Sequence, residues 1–369
     1  MDSASKTGIW IIATGVIIAF LFIGREILAP FAMAVFLFLV MEGFASAIDV
    51  RSEILKRGGS RVISILLVLG GFVAYIMLMA SGIAKFGSQA SLYERRIDGL
   101  ISDGYGLFGM DNAPSLNELA FGEPGQQVFS VISASVSSLS QSVMLILIYV
   151  AFLFLAQSTW STKLDHIFPE RARREKVREV GDAARGSIES YLWTQSVISA
   201  LITLLTWVTL TVLGVQNALF LAAVIFVLNY IPTIGSIIAA FVPLLFALVQ
   251  PGVPDWVPGD APQNGYIFAG IVFGAVSFWQ FTIGNFLQPR MMSESLNLSA
   301  LVVLLALAIW GAIWGIPGMF LSAPLTVLMM ILFAQSKSTH WIAVMLSADG
   351  RPSELKKTSI ETTATDHAK

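Results

Sequence analysis

Residues 228–236 read LNYIPTIGS and lie near the middle of the long apolar stretch 218–250. They place an amide, hydroxyls, a proline and a glycine where the flanking sequence is almost wholly hydrophobic. Proline lacks the N–H that a helix needs, so the stretch predicts two shorter helices that meet at a polar break. Breaks at membrane depth are tolerated only inside protein or beside a water-filled cavity. The segment therefore predicts a membrane protein in which this break forms one wall of a polar passage.

The composition supports a membrane protein. The 369 residues are 56% hydrophobic and 12% charged, with a mean hydropathy of +0.76. Soluble domains carry about twice that share of charge. Several apolar runs exceed the roughly 18 residues that mark a membrane span, and they lack the ten-residue alternation of transmembrane barrels. The sequence thus predicts an all-α polytopic membrane protein.

The apolar runs fall into two length classes. Six have the length of ordinary transmembrane helices: 9–24, 28–48, 62–84, 139–157, 191–213 and 266–287. Two longer stretches, 218–250 and 298–334, would each be roughly 50 Å or more as one straight helix. Each is too long for a hydrocarbon core of about 30 Å and too short for two crossings with a loop. Because Pro and Gly interrupt both, we expect two re-entrant hairpins that enter from opposite faces; the alternative is one long crossing by each stretch.

Lysine and arginine in the short loops predict the orientation. Basic residues are concentrated in 51–61 and 158–190, which the positive-inside rule places in the cytoplasm. The long segment 85–141 carries three basic residues against six acidic ones and is expected outside. With six full crossings, both termini are cytoplasmic.

The predicted organisation has six parts. These are the first three transmembrane helices (1–85), an extracytoplasmic helical cap (86–138), a transmembrane helix (139–157), a cytoplasmic amphipathic helix (158–190), a transport core with the two broken hairpins (191–336) and a cytoplasmic tail (337–369) whose end is expected to be disordered. The amphipathic helix has an apolar stripe at Val177, Val180, Ala184 and Ile188. We expect it to lie along the inner membrane surface and to continue into the next span.

Several classes of chemistry have no support in the sequence. There is no cysteine, no HExxH, no Walker glycine loop and no GxSxG. The histidines His166, His340 and His367 are too scattered for a metal site. The prediction is a protein that is not an enzyme and has no cofactor. Since the basic residues are explained by membrane topology, no nucleic-acid partner is predicted either.

Neutral polar groups are concentrated at the breaks and at the end of one span, in WQFTIGNFLQPR (279–290). The candidate solute path consists of Asn229, Pro232, Thr233, Gly235, Ser236, Gln280, Asn285 and Gln288, and the second break supplies a mobile tip at Gly315, Pro317 and Gly318. Such groups are costly against lipid, so a wet path without net charge is one interpretation. The other is that the amides and hydroxyls hold helices together.

Glu42 is the ionisable residue placed well within a predicted span, near one end. Cation antiporters use buried carboxylates to exchange the coupling ion, so Glu42 is a candidate coupling residue. The alternative is an interfacial glutamate near the cytoplasmic end. A single weak candidate favours transport that is not obligatorily coupled to a cation.

Two long motifs resemble a known family. LNYIPTIGSIIAAFVPLLFAL (228–248) and GNFLQPRMMSESLNLSALVVLLALAIWGAIWGIPGMFLSAPLTVLMMIL (284–332) closely resemble the autoinducer-2 exporter family of bacterial inner-membrane proteins. LAPFAMAVFLFLV (28–40) and HWIAVMLSAD (340–349) extend the resemblance, which is strongest to the branch credited with transport of the quorum-sensing signal autoinducer-2.

The resemblance implies a homo-oligomeric secondary transporter or facilitator in the inner membrane. Its implied cargo is a small polar solute, with autoinducer-2 first among the candidates. Other members of the family are linked to sodium or lithium/proton antiport, which therefore stays an alternative. A scaffold or receptor that transports nothing is a third possibility. Energy source, direction of transport and subunit number are not given by the sequence.

Overall fold

The structure is a computed structural model that describes residues 3–51, 57–107, 109, 114, 115, 118, 142–260, 263–292 and 297–352. Its helices are α1 (Ser3–Ile23), α2 (Arg25–Arg51), α3 (Arg57–Ser88), α4 (Ala90–Leu107), α5 (Ser142–Gln157), α6 (Trp160–Ile167), α7 (Arg171–Leu213), α8 (Ala218–Leu228), α9 (Ile234–Val249), α10 (Gln263–Thr282), α11 (Gln288–Met292), α12 (Ala300–Trp314), α13 (Ile316–Ala334) and α14 (His340–Leu346). A π-helical turn, Ile283–Leu287, joins α10 to α11.

Membrane-spanning segments account for much of this helix content. Among the described residues, five helical segments are long and apolar enough to cross a membrane: Arg25–Phe44, Leu66–Ser88, Arg171–Leu213, Gln263–Met291 and Ile316–Ala334. A sixth is added if the pair α5 and α6, bent by 66°, counts as one span. The prediction of an all-α polytopic membrane protein is confirmed.

One span differs in length from the prediction. The predicted span 9–24 corresponds to α1, a helix of 21 residues. By contrast, α13 has the 19 residues of a complete span, although the sequence predicted a half-membrane arm there. The outer cap predicted at 86–138 is described over α4. Most of its remainder, and the tail beyond residue 352, lie outside the described residues.

The chain divides into two compact units. Unit 1 contains Met1–Arg61, Leu145–Thr194 and Met291–Lys369, and unit 2 contains Val62–Met144 and Gln195–Arg290. Helix α7 is continuous through both. It forms one helix of 43 residues, so at about 1.5 Å per residue it extends roughly 65 Å.

Unit 2 is organised around the α8–α9 hairpin. At its base the Gln216 backbone N–H donates to Gln250 Oε1 at 3.0 Å, and Gln216 Nε2 donates to the Pro251 carbonyl at 3.1 Å. At its tip Gly235 packs so closely that a Cβ there would overlap the carbonyl oxygen of Leu228. The ends of the 218–250 stretch therefore meet, and the predicted hairpin is present. Whether it re-enters a membrane stays a prediction.

Unit 1 contains the second predicted hairpin, α12–α13. Trp310 Nε1 donates to Thr326 Oγ1 at 3.3 Å across the pair. A Cβ on Gly318 would overlap the carbonyl oxygen of Trp310. The two breaks thus share one structural feature. In each, a glycine after the proline lets the second helix contact the last turn of the first helix.

The first half of α7 belongs to unit 1 and packs against α13. Ala184 forms a buried cluster with Val327 and Ile331, and Val180 packs on its edge. The amphipathic stripe predicted to lie on the membrane surface therefore contacts protein at these two positions. The prediction that this helix continues into the next span is confirmed by the unbroken α7.

The segment after α14 is tied to the approach to α12 within unit 1. Leu298 and Ser347 form an antiparallel bridge, and Asn297 Nδ2 donates to Asp349 Oδ1 at 2.8 Å. The Arg351 backbone N–H donates to the same carboxylate oxygen at 2.9 Å. These two donors lower the pKa of Asp349 below its ordinary value, and the Arg351 backbone N–H has the larger effect.

Candidate functional site

The break between α8 and α9 is a tight, strained turn. Thr233 precedes α9 with φ 61° and ψ −57°, a conformation that is rare for a β-branched residue. Its carbonyl accepts a hydrogen bond from Ser236 Oγ at 2.9 Å, and the Gly235 N–H donates to the Ile231 carbonyl at 3.1 Å. Strain of this kind persists only when the surroundings enforce it, and it is concentrated at sites that bind or move.

Asn229 is the centre of a buried polar cluster at this break. Its backbone carbonyl accepts from Gln195 Nε2 at 2.6 Å, and its Oδ1 accepts from Gln280 Nε2 at 3.3 Å. Its Nδ2 is buried and has no hydrogen-bond partner among the described residues. The amide thus keeps a donor available, and leaving such a donor unsatisfied costs about 1–3 kcal/mol. A solute or a water molecule can accept that hydrogen bond.

The second half of α7, which lies in unit 2, contributes a polar stripe to this region. Gln195 is 3% exposed and Ser199 is fully buried, with Nε2 and Oγ separated by 3.5 Å. Thr203 and Thr206 continue the stripe at the i+4 and i+3 spacings of one helix face. Their Oγ1 atoms are buried and unpartnered among the residues described. The stripe therefore offers hydroxyls that the protein itself does not satisfy.

Aromatic side chains border the cluster. Tyr230 OH lies 2.7 Å from Ser196 Oγ, which fixes the residue after Asn229 to α7. The Tyr230 ring meets Phe226 edge-on at 5.6 Å. Tyr75 OH donates to the Ala223 carbonyl at 3.0 Å, so α3 also holds α8. The amide cluster is thus fixed by oriented neighbours on two other helices.

The sequence-predicted path residues separate into distinct groups. The structure brings together Asn229 and Gln280, the latter 8% exposed. Thr233, Gly235 and Ser236 shape the turn itself, as does Pro232, which precedes Thr233. Asn285 does not join the cluster: it is exposed, and its Nδ2 donates to the Phe281 carbonyl of its own helix at 2.9 Å. Gln288 lies beyond the π-turn, at the first residue of α11.

The predicted tip of the second hairpin belongs to unit 1. Gly315 has φ 65°, so only glycine adopts this backbone without strain. Pro317 lies in the first turn of α13, where its missing N–H costs no helical bond. Gly318 is fixed by the close approach to Trp310 described above.

Glu42 is buried, with 7% of its surface exposed, and it has polar partners in unit 1. Its Oε1 accepts from Gln157 Nε2 at 3.2 Å, and its Oε2 pairs with Arg185 Nη2 at 3.0 Å. Arg185 also pairs with Glu189 at 2.6 Å. The Glu42 carboxylate therefore shares one arginine with Glu189. Among the described residues, no group of three or more His, Asp or Glu side chains is placed to hold a metal ion.

Comparison with known proteins supplies an independent observation. A model of the family described as AI-2E family transporter matches residues 9–337. The AI-2 transport protein TqsA of Escherichia coli is 34% identical over 211 residues, which is 57% of this chain and 57% of TqsA. A Haemophilus influenzae protein described as "Putative transport protein" is 28% identical over 353 residues, or 92% and 96% of the two chains. The alignment with TqsA thus spans little more than half its length.

Proposed function

The chain belongs to the AI-2E transporter family, and from this premise we propose that it exports a small, uncharged polar solute, the quorum-sensing signal autoinducer-2. The proposal places it in the bacterial inner membrane with both termini in the cytoplasm. The name of TqsA supports the choice of solute. The observation that carries the mechanism is the uncharged amide cluster of Asn229, Gln195 and Gln280 at a break in an apolar hairpin.

The chemistry of the cluster matches a solute rich in hydroxyl groups. Amides and hydroxyls can both donate and accept, so they replace the water that such a solute loses on entering the protein. The unpartnered Asn229 Nδ2 and the hydroxyls of Thr203 and Thr206 are the groups available for this exchange. A site for a bare cation would need carboxylates or a ring of carbonyls instead. The cluster has no charged member.

We propose that the strained turn at Thr233 lets the solute path open alternately to the two sides of the membrane. The turn holds about 1–3 kcal/mol of conformational strain, which a second arrangement of the tip can release. Gly235 lets α9 slide against the end of α8 without a side chain in the way. Gly315 and Gly318 would serve the same purpose at the second hairpin.

The test is solute flux through the purified protein. Liposomes that contain the protein and are loaded with autoinducer-2 should lose it faster than protein-free liposomes. Efflux should be unchanged when sodium or pH gradients are imposed. In cells, deletion of the gene should raise the internal autoinducer-2 pool and lower the external one at matched growth. Equal efflux with and without the protein would refute the proposed substrate.

Sodium or lithium/proton antiport is the second candidate, because Glu42 is a buried carboxylate. Its pairing with Arg185 argues against this role, since a coupling carboxylate must exchange its partner for the transported ion. The measurement is the internal pH of vesicles when sodium or lithium is added. A pH change that requires the protein would favour antiport.

We propose a homo-oligomer, in which the almost uncovered span of α3 is the candidate contact surface. In the span Leu66–Ser88 of α3, only 6% of the most apolar window is buried within the chain. Leu66, Leu67 and Met77 are each more than half exposed. Lipid or a second copy must cover these side chains. Cross-linking in native membranes, followed by a mass measurement of the purified complex, tests for the second copy.

A further inference from the structure

A small basic pocket lies in unit 2, apart from the amide cluster. It has a volume of about 220 Å³ and is lined by Arg95, Arg96, Gly99, Leu100, Asp103, Leu248, Gly265 and Tyr266. Its walls come from α4, the end of α9 and the start of α10. Neither the family match nor the proposed path assigns it a role.

The pocket is built on a helix that is fixed at both ends. Near the start of α4, Tyr93 is 2% exposed and its ring stacks on Phe86 at 4.6 Å, with Phe246 of α9 at 5.7 Å. Near the other end, Tyr266 OH donates to Asp103 Oδ2 at 3.0 Å. Arg95 and Arg96 lie between these two contacts, so the helix that carries them is held in place.

The charges in the pocket favour an anion. The residues that line it include two arginines and one carboxylate, Asp103, and that carboxylate already accepts a hydrogen bond from Tyr266. Arg95 uses Nε to bond the Ser91 carbonyl at 3.3 Å, which leaves its two terminal nitrogens for a ligand. Arginine binds phosphate through two parallel hydrogen bonds. Asp103 and Tyr266 can bond hydroxyl groups beside the phosphate.

The position of the pocket indicates its depth relative to a membrane. The span Leu66–Ser88 ends seven residues before Arg95, and the span Gln263–Met291 begins three residues before Tyr266. Ends of spans lie at the level of the lipid headgroups, so the pocket is within reach of the phosphate groups of membrane lipids. The headgroup of phosphatidylglycerol carries hydroxyls beside its phosphate.

We propose that this pocket binds a glycerol phosphate group, supplied either by the headgroup of phosphatidylglycerol or by a free phosphorylated polyol. The two guanidinium groups hold the phosphate, and the pair Asp103–Tyr266 holds the glycerol hydroxyls. Gly99 and Gly265 line the pocket, and the space beside each is open, because a Cβ on either would meet no atom within 4 Å. The site is independent of the autoinducer-2 proposal.

The experiment measures the thermal unfolding midpoint of the full chain in detergent during two titrations. One adds phosphatidylglycerol, with the zwitterionic phosphatidylcholine, whose headgroup has no net charge and no hydroxyl groups, as the control; the other adds sn-glycerol 3-phosphate. The pocket variant is Arg95→Gln with Arg96→Gln. The matched control is Arg171→Gln, which removes an arginine whose side chain is 84% exposed and, among the described residues, pairs with Glu175 of its own helix. A second pocket variant, Gly99→Leu, fills the cavity without changing its charge.

The wild type and the Arg171→Gln control should be stabilised by the ligand. Both pocket variants should bind it at least about tenfold more weakly, since charge-assisted bonds are lost or blocked. A response to phosphatidylglycerol alone identifies the lipid source, and a response to glycerol 3-phosphate identifies a free solute. If the double variant fails to fold, ligand binding by Gly99→Leu tests the proposal instead. Ligand binding by Gly99→Leu at wild-type affinity would overturn the proposal, as would no response in any protein.

Discussion

Replacement of Asn229 by alanine separates a solute-binding role from a helix-holding role. The side chain makes one hydrogen bond, to Gln280 at 3.3 Å, and its buried Nδ2 has no partner among the described residues. Polar contacts between membrane helices contribute about 0.6 kcal/mol on average. Alanine loses that bond but also removes an unsatisfied donor. The unfolding free energy should therefore change by less than about 1 kcal/mol.

Transport should respond more strongly than stability. If Asn229 Nδ2 donates a hydrogen bond to the solute, its loss weakens the interaction between the solute and the path by about 1 kcal/mol. This corresponds to roughly a fivefold decrease in flux. The matched control is Asn285→Ala, because Asn285 is exposed and bonds its own helix. Flux per folded molecule should decrease in the first variant and stay unchanged in the second.

The assay is efflux from liposomes, normalised to the folded protein recovered after reconstitution. Thermal unfolding of both variants in detergent supplies the stability measurement. Equal flux in Asn229→Ala and in the wild type would refute the assignment of Asn229 to the solute path. A loss of several kcal/mol of stability would show that the cluster mainly holds the helices together.

Three further perturbations have defined outcomes. Gly235→Ala should destabilise the protein by about 3 kcal/mol or more in thermal unfolding, because its Cβ overlaps a backbone carbonyl, whereas Gly270→Ala faces open space and should be tolerated. Glu42→Gln should lower stability by about 1 kcal/mol, since the half-exposed Arg185 keeps its second carboxylate, while flux per folded molecule stays constant. Asp255→Cys, in a chain without cysteine, should be labelled by an impermeant maleimide from outside the cell if the α8–α9 hairpin is re-entrant.

The last of these outcomes would be reversed by a different topology. If 218–250 crossed the membrane once, the loop that follows it would be cytoplasmic, and labelling at 255 would require permeabilised cells. A cysteine in the segment 158–170, which is predicted to be cytoplasmic in both topologies, is the control. It should be labelled only after permeabilisation in either case.

The sequence was sufficient to predict the helical membrane fold and the positions of both breaks. Pro232 and Gly235 mark the first break because proline lacks an N–H and glycine allows close approach, and both effects are local. The length of 218–250 favoured a broken hairpin over a single crossing. The helix ends at Leu228 and restarts at Ile234, as these residues indicate.

The polar stripe on α7 was missed although a signal was present. Gln195, Ser199, Thr203 and Thr206 recur at helical spacing inside an apolar span. Single hydroxyls in membrane helices often bond their own backbone, so their presence alone does not indicate a site. What distinguishes this stripe is the burial of hydroxyls without partners, which depends on packing by distant helices.

Asn285 lies apart from the amide cluster although it is close to Gln280 in sequence. Five residues turn a helix by more than one full revolution, and a π-turn begins at Ile283. Asn285 Nδ2 donates to the Phe281 carbonyl, and the place of Asn285 on the solute path stays a prediction. The burial of Glu42 against Arg185 was not predicted either, because the two residues are 143 positions apart.

The closed base of the α8–α9 hairpin has a consequence for biosynthesis. Its arms have 11 and 16 residues, so neither has the roughly 20 residues of a transmembrane helix. The contact between Gln216 and Gln250 joins positions 34 residues apart and cannot form until both have left the ribosome. At about 5–20 residues per second, synthesis takes roughly 2 to 7 seconds to span that interval. If the hairpin is re-entrant, as predicted, we expect its two short arms to enter the bilayer together, after Gln250 has been synthesised.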